Sequence, residues 1–83
     1  MKTQILYEDN DIIVCYKPAG IAVQTAGIAQ QDMVSELKNY LARQGVSPYI
    51  GLVHRLDQPV EGVLVVARTK EAAAKLNKQL AEG

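Results

Sequence analysis

Four polar side chains with catalytic potential lie close together in the segment LVHRLDQPVEGVLVVART, residues 52–69. They are His54, Arg55, Asp57 and Glu61, and apolar runs precede and follow them. Arg55 and Asp57 are two residues apart, so on extended chain their side chains share a face. A cation close by favours the charged form of a carboxyl group, so Arg55 would keep Asp57 ionised. An ionised, oriented carboxylate can attack a sugar carbon or remove a proton.

Each of these residues also has a plainer interpretation. Arg55 and Asp57 could form a surface salt bridge worth at most about 1 kcal/mol. His54 could be a strand-end histidine bonded to a backbone carbonyl rather than a catalytic base, since no Ser or Cys is nearby in sequence to be activated. Asp57 and Glu61 together resemble the paired carboxylates of glycosidases, a pattern that any two acids four residues apart produce by chance. A metal site is excluded, because His54 with Cys15 falls short of three ligands.

The surrounding chain places Asp57 on a loop at the edge of a strand. Gln58–Pro59 predicts a turn, and Gly62 allows close backbone approach before the next strand. Reactive groups are commonly displayed on such loops.

Periodicity predicts the elements around this loop. The predicted elements are strands at 4–8 and 12–17, a possible short strand at 21–23, a helix at 33–44, extended chain at 46–54, a strand at 62–68 and a helix at 70–83. Asp32 and Thr69 are predicted N-caps, and Gly45 a predicted helix stop. The run at 62–68 is nearly continuously apolar, which predicts a strand covered on both faces. The mixture favours an α+β fold with a mixed, largely antiparallel sheet and flanking helices.

Composition restricts the class of protein. The chain has 83 residues, enough for one domain with a thin core, and no Phe or Trp. Nine basic residues balance nine acidic ones, so net charge predicts no partner; residues 41–83 carry a mild basic excess. Cys15 is alone and lies in an apolar run, which predicts a buried thiol and a reducing cytoplasm. The opening residues MKTQILYEDN lack the apolar core of a signal peptide and no apolar run reaches membrane-spanning length, so we expect a soluble, intracellular protein.

Two segments resemble a known family. HRLDQPVEGVLVVART resembles the signature of the RluA-type pseudouridine synthases: His-Arg-Leu-Asp, two variable residues, usually Thr-Ser-Gly, and an apolar strand ending in Ala-Lys/Arg-Thr/Asn. ILYEDNDIIVCYKPAGIAVQT resembles that family's opening, a hairpin that leads to Asn/Asp-Lys-Pro-Ala/Ser-Gly. The resemblance covers essentially all 83 residues, with both motifs in the right order.

The chain departs from the family pattern in three ways. Tyr16 precedes Lys17 where Asn or Asp is usual, and Val60–Glu61–Gly62 replaces the commoner Thr-Ser-Gly. The family also continues further, with a tyrosine that stacks on the target base and a basic residue that pairs with the catalytic aspartate; neither has a counterpart here. We therefore expect residues 1–83 to be the N-terminal portion of a single pseudouridine synthase catalytic domain whose C-terminal remainder is absent, and this chain alone to be inactive.

The resemblance implies a reaction and a set of site residues. Uridine in a structured ribosomal or transfer RNA would leave its stack and be isomerised to pseudouridine, with Asp57 in the place of the catalytic carboxylate. Arg55 would help hold the displaced nucleotide, and His54, Leu56 and Gly62 would support the loop. No metal, organic cofactor or membrane is implied, and the oligomeric state stays open.

Two alternatives to the synthase remain. A truncated descendant could serve as a non-catalytic RNA- or partner-binding module, which predicts tolerance of Asp57→Ala. A small glycosidase-like hydrolase would use Asp57 with Glu61, and predicts that Glu61→Gln is as damaging as Asp57→Asn.

Overall fold

The fold is a four-stranded sheet with two helices. The computed structural model describes residues 1–24, 32–54, 56 and 58–82. The elements are β1 (Gln4–Glu8), β2 (Ile12–Lys17), α1 (Met33–Arg43), β3 (Gly51–Leu52), β4 (Gly62–Ala67) and α2 (Lys70–Glu82). The strand order is β1-β2-β4-β3, and each of these three pairings is antiparallel. The predicted α+β class with a largely antiparallel sheet is therefore confirmed.

The pair β2–β4 forms the centre of the sheet and supplies one side of the core. Cys15 faces Leu64 and Ile13 faces Val66 across the pair, and all four side chains are buried. They join one hydrophobic cluster with the apolar face of α1, which contributes Met33, Val34, Leu37 and Leu41. The alternate face of β4 is more open, because Val63 is 55% exposed. The prediction that this strand is covered on both faces is therefore wrong at Val63.

Helix α1 begins where the sequence predicts, but residues 21–23 do not form the short strand predicted there. The Asp32 carboxylate caps the helix by accepting the Ser35 N–H at 2.7 Å. The first two helical N–H groups, of Met33 and Val34, donate to the carbonyls of Ala22 and Val23 at 2.9 and 3.0 Å. The short strand predicted at 21–23 is absent because these carbonyls bond to the helix instead of to a sheet.

Helix α2 packs against β4 and β3. Thr69 caps it as predicted, with the Ala72 N–H donating to Thr69 Oγ1 at 3.0 Å. Of the apolar side chains of α2, Ala72 is buried whereas Leu80 is 57% exposed. Among the described residues, no helix combines the length and the apolar character needed to cross a membrane.

Candidate active site

The candidate site is the loop of residues 53–61, which joins β3 to β4 and carries the motif His-Arg-Leu-Asp. Arg55 and Asp57 lie outside the described residues, so their predicted roles remain predictions. Their neighbours His54, Leu56 and Gln58 are described. The contacts of these neighbours show how the loop is attached to the sheet.

His54 attaches the start of the loop to β4. Its Nε2 accepts the Val65 backbone N–H at 3.2 Å, just beyond the β3–β4 pair Leu52–Val66. The imidazole thus continues the ladder past the last paired residue of β3. A nitrogen that accepts carries no hydrogen, so this bond assigns the hydrogen of the neutral ring to Nδ1. The sequence analysis allowed that His54 is a strand-end histidine bonded to a backbone carbonyl. The structure shows a strand-end histidine whose described bond is instead accepted from a backbone N–H.

Leu56 and Gly62 fit together at the middle of the loop. Leu56 is partly buried and packs against the core cluster. A Cβ placed on Gly62 would lie 2.9 Å from Leu56 Cδ1, closer than two carbon atoms can normally approach. Glycine at position 62 therefore gives room for Leu56, which lies between Arg55 and Asp57 in the chain.

Lys17 ties the loop to β2 from the core side. Its side chain is fully buried, and its Nζ donates to the carbonyls of Pro18, Ile21 and Gln58 at 3.1, 2.6 and 3.0 Å. A buried ammonium is costly unless such dipoles solvate it. Lys17 therefore joins two stretches of backbone, residues 18–21 and the loop at Gln58, around one charge.

Gln58, the residue after Asp57, makes a second connection. The Gly20 N–H donates to the Gln58 carbonyl at 3.0 Å, and Gln58 Nε2 donates back to the Gly20 carbonyl at 3.1 Å. Together with the Lys17 bond, the Gln58 carbonyl accepts from two donors. The Lys-Pro-Ala-Gly segment is thereby joined to the loop that carries Asp57.

The role of Lys17 is not among the sequence predictions, although the sequence carries a signal for it. Side chains alternate between the faces of a strand, and Ile13 and Cys15 are both buried. Lys17 follows in the same phase, so the pattern places a cation on the core face. A charged residue in the apolar phase of a strand next to a Pro–Ala–Gly turn indicates a structural cation.

Glu61 bonds back to the sheet on the other side. The Tyr16 hydroxyl donates to Glu61 Oε2, and this donated bond is the main reason that the pKa of Tyr16 is raised above its usual range. Glu61 is exposed and leads directly into β4. Its carboxylate is thus engaged by a phenol of β2.

Cys15 takes no part in the site. It is buried under the sheet, its Sγ lies 3.7 Å from Met33 Sδ, and burial raises its pKa to about 11. The thiol is therefore protonated at neutral pH, which confirms the prediction of a buried structural cysteine.

Comparison with known proteins identifies the family. The family model of RNA pseudouridylate synthases matches residues 11–83. The ribosomal large subunit pseudouridine synthase D of Pseudomonas aeruginosa is 40% identical over 96% of this chain, and that of Xylella fastidiosa is 43% identical over 92%. The synthase C of Buchnera aphidicola is 35% identical over 94%. The chain spans about a quarter of the length of these curated relatives, at 25%, 23% and 24%.

A solved structure has the same arrangement. Human RNA Pseudouridylate Synthase Domain Containing 4 superimposes with a TM-score of 0.75 and 25% identity, over 95% of this chain and 30% of that one. The loop described above carries the motif on which the resemblance depends, and the matched family model includes it. The chain belongs to the RNA pseudouridylate synthase family, to its RluA type.

Proposed function

We propose that the protein containing this chain isomerises uridine to pseudouridine in RNA, with Asp57 as the catalytic carboxylate. The observation that carries the proposal is the motif His54–Asp57 in a loop attached to the sheet by His54, Lys17 and Gln58. Membership of the family supports the same reaction. A pre-organised loop is what a positioned carboxylate requires, because small displacements of a reacting group are costly in rate.

The reaction breaks the N1–C1′ bond of uridine, turns the uracil and forms a C5–C1′ bond. The hydrogen on C5 is lost and N1 of the product gains one, so the change is redox-neutral and consumes no co-reactant. Asp57 either attacks C1′ or removes a ribose proton. Both roles need an ionised carboxylate beside the sugar.

We assign to Arg55 the task of holding the displaced nucleotide. The target base must leave its stack to be reached, as in other base-modifying enzymes. A guanidinium suits this task because it pairs with phosphate and also stacks on a base. His54, Leu56 and Gly62 act on the loop and not on the substrate, which fits the contacts of His54 with Val65 and of Leu56 with the core.

We propose large-subunit ribosomal RNA as the substrate class. The support is the printed names of the relatives from Pseudomonas aeruginosa and Buchnera aphidicola, which are both ribosomal large subunit pseudouridine synthases. Structured RNA of this kind offers loops and bulges from which a uridine can be extruded at low cost.

The test uses the complete gene product that contains this chain, with unmodified transcripts of large-subunit ribosomal RNA and of transfer RNA. Pseudouridine is located by carbodiimide adducts, which stop reverse transcriptase. We expect stops in the ribosomal transcript with wild type and with Glu61→Gln, and none with Asp57→Asn. Stops only in transfer RNA would overturn the substrate assignment. Equal loss in Glu61→Gln and Asp57→Asn would favour a carboxylate pair and contradict the proposed chemistry.

A further inference from the structure

Two successive residues of β2 hold the 53–61 loop from opposite faces of the sheet. Successive side chains of a strand point to opposite faces. Lys17 reaches the Gln58 carbonyl on the core face, where it is fully buried. Tyr16 points to the other, more open face and donates its hydroxyl to Glu61. The loop is thus bonded to β2 at Gln58 on one face and at Glu61 on the other.

The Tyr16–Glu61 bond lies in a part of the loop where burial of side chains contributes little to order. Tyr16 lies opposite Val63 in the β2–β4 register, so Glu61 lies just before the paired residues of β4. Val60 is 44% exposed, and Gln58, Pro59 and Glu61 are exposed as well. Since apolar contact scarcely orders this stretch, polar contacts with the sheet are what can fix its path.

Both partners are positions at which this chain departs from the family pattern described above. Tyr16 stands where the family pattern has Asn or Asp, and Glu61 stands where it commonly has Ser. Two of the departing residues therefore meet in one hydrogen bond.

We propose that Tyr16 and Glu61 form a positioning pair that holds the second half of the loop, and so sets the segment carrying Asp57 against the sheet. The catalytic consequence rests on the proposed function, whereas the ordering of the loop does not. Neither residue touches the substrate in this proposal. The pair acts through the backbone that joins Asp57 to β4.

The test compares Tyr16→Phe, Glu61→Ala and the double variant in the complete gene product. Hydrogen exchange read by mass spectrometry reports on peptides covering residues 53–62. We expect exchange there to quicken roughly threefold in each single variant and no further in the double variant, because all three lack the same bond. Glu61→Gln retains an oxygen that can accept the phenol, and should stay close to wild type.

Tyr7→Phe is the matched control. The Tyr7 hydroxyl donates to Asp9 at 2.8 Å at the β1–β2 turn, in another exposed bond between a phenol and a carboxylate. Tyr7→Phe therefore removes the same hydroxyl oxygen as Tyr16→Phe, but away from the 53–61 loop. This variant should leave exchange in the 53–62 peptides unchanged. Unaltered exchange in both Tyr16→Phe and Glu61→Ala, or additive effects in the double variant, would overturn the positioning pair.

Kinetics on RNA separate this proposal from the proposed function. Tyr16→Phe and Glu61→Ala should lower kcat roughly tenfold with little change in KM, because the carboxylate is displaced while the RNA surface is intact. A rise in KM at constant kcat would contradict positioning and indicate substrate contact. If wild type itself forms no pseudouridine, the proposed function fails, and the exchange experiment alone decides whether the pair orders the loop.

Discussion

Lys17 shows how one side chain can organise a loop. Removing its ammonium affects its three carbonyl partners unequally. The Gln58 carbonyl keeps the Gly20 N–H as a donor, and the bond to Pro18 is only partly buried, so water can replace it. The Ile21 carbonyl is bonded in a buried position and would lose its donor. Two effects therefore decide the change in the free energy of unfolding. The Ile21 carbonyl loses its donor, which destabilises the fold, and a charge no longer has to be buried, which stabilises it.

We predict that Lys17→Met lowers the free energy of unfolding by about 1–2 kcal/mol, the cost of one unsatisfied buried carbonyl less the gain from removing a buried charge. Urea unfolding measures the change. Lys38→Met is the matched control, since Lys38 is exposed on α1 and should cost almost nothing. A Lys17→Met protein as stable as wild type would contradict the predicted net cost of leaving the Ile21 carbonyl without its donor.

Gly62 provides a second residue-scale prediction, which separates activity from stability. The Cβ of Gly62→Ala would push on Leu56 Cδ1, and Leu56 is flanked by Arg55 and Asp57. We expect pseudouridine formation by the complete gene product to fall roughly tenfold or more. Stability should change by only about 1–2 kcal/mol, because a leucine side chain can shift. A variant with full activity would show that Leu56 does not control the position of its neighbours.

At the scale of elements, the sequence pattern predicts secondary structure well where the hydrogen bonds join residues that are close in the chain. Strands β1 and β2 and helix α1, with its Asp32 cap, follow from periodicity and capping residues alone. The short strand predicted at 21–23 failed, because its carbonyls serve Lys17 and the start of α1. Hydrogen bonds of this kind, between residues distant in the chain, produce no periodic pattern in the sequence. The motif of the candidate site could be recognised from the sequence. Its attachment through buried Lys17 became visible only in the three-dimensional structure.

Helix α1 also holds the N-terminal residues through a buried carboxylate. Glu36 is 4% exposed and accepts the Lys2 N–H at 2.9 Å and the Thr3 N–H and hydroxyl at 3.0 and 2.8 Å. Burial on its own would raise the pKa of Glu36, but these donors and the N-terminal charge outweigh it and the pKa is lowered. The ionised form is therefore the one that stabilises the fold.

We predict that Glu36→Gln costs about 1–2 kcal/mol at neutral pH, because an amide cannot accept all three donors equally well. A lowered folded-state pKa stabilises the fold above the unfolded-state value, and this contribution disappears as pH falls through the folded-state value. The difference between wild type and variant should therefore shrink below about pH 4. Urea midpoints across the acid range measure it. A difference that is constant with pH would contradict the role of the charge.

At the scale of the whole molecule, one face of the sheet is exposed to solvent. This face includes Tyr7 and Val63, each more than half exposed, and the net charge of the chain is zero. We predict that residues 1–83 alone melt at a lower temperature than the complete gene product, because more apolar surface stays in water. Calorimetry of both proteins compares them. A cooperative melt of the chain alone at an equal or higher temperature would contradict this.

The same charge balance predicts weak RNA binding by residues 1–83 alone. Each phosphate contact steepens the dependence of log K on log salt by about 0.9, so a chain with few contacts should show a shallow slope of about 1–3 in magnitude. Fluorescence anisotropy with a labelled RNA hairpin across a salt series measures the slope. A steep slope would show an RNA surface within these residues that the net charge conceals.

The central claim is that Asp57, carried by the loop between β3 and β4, isomerises uridine. The most direct measurement is tritium release from RNA that carries 5-tritiated uridine, because forming the C5–C1′ bond expels that hydrogen. The complete gene product is compared with its Asp57→Asn variant. We predict release by wild type and none by the variant. Release by neither would contradict the synthase and favour a non-catalytic RNA-binding role, and equal release by both would contradict the assignment of Asp57.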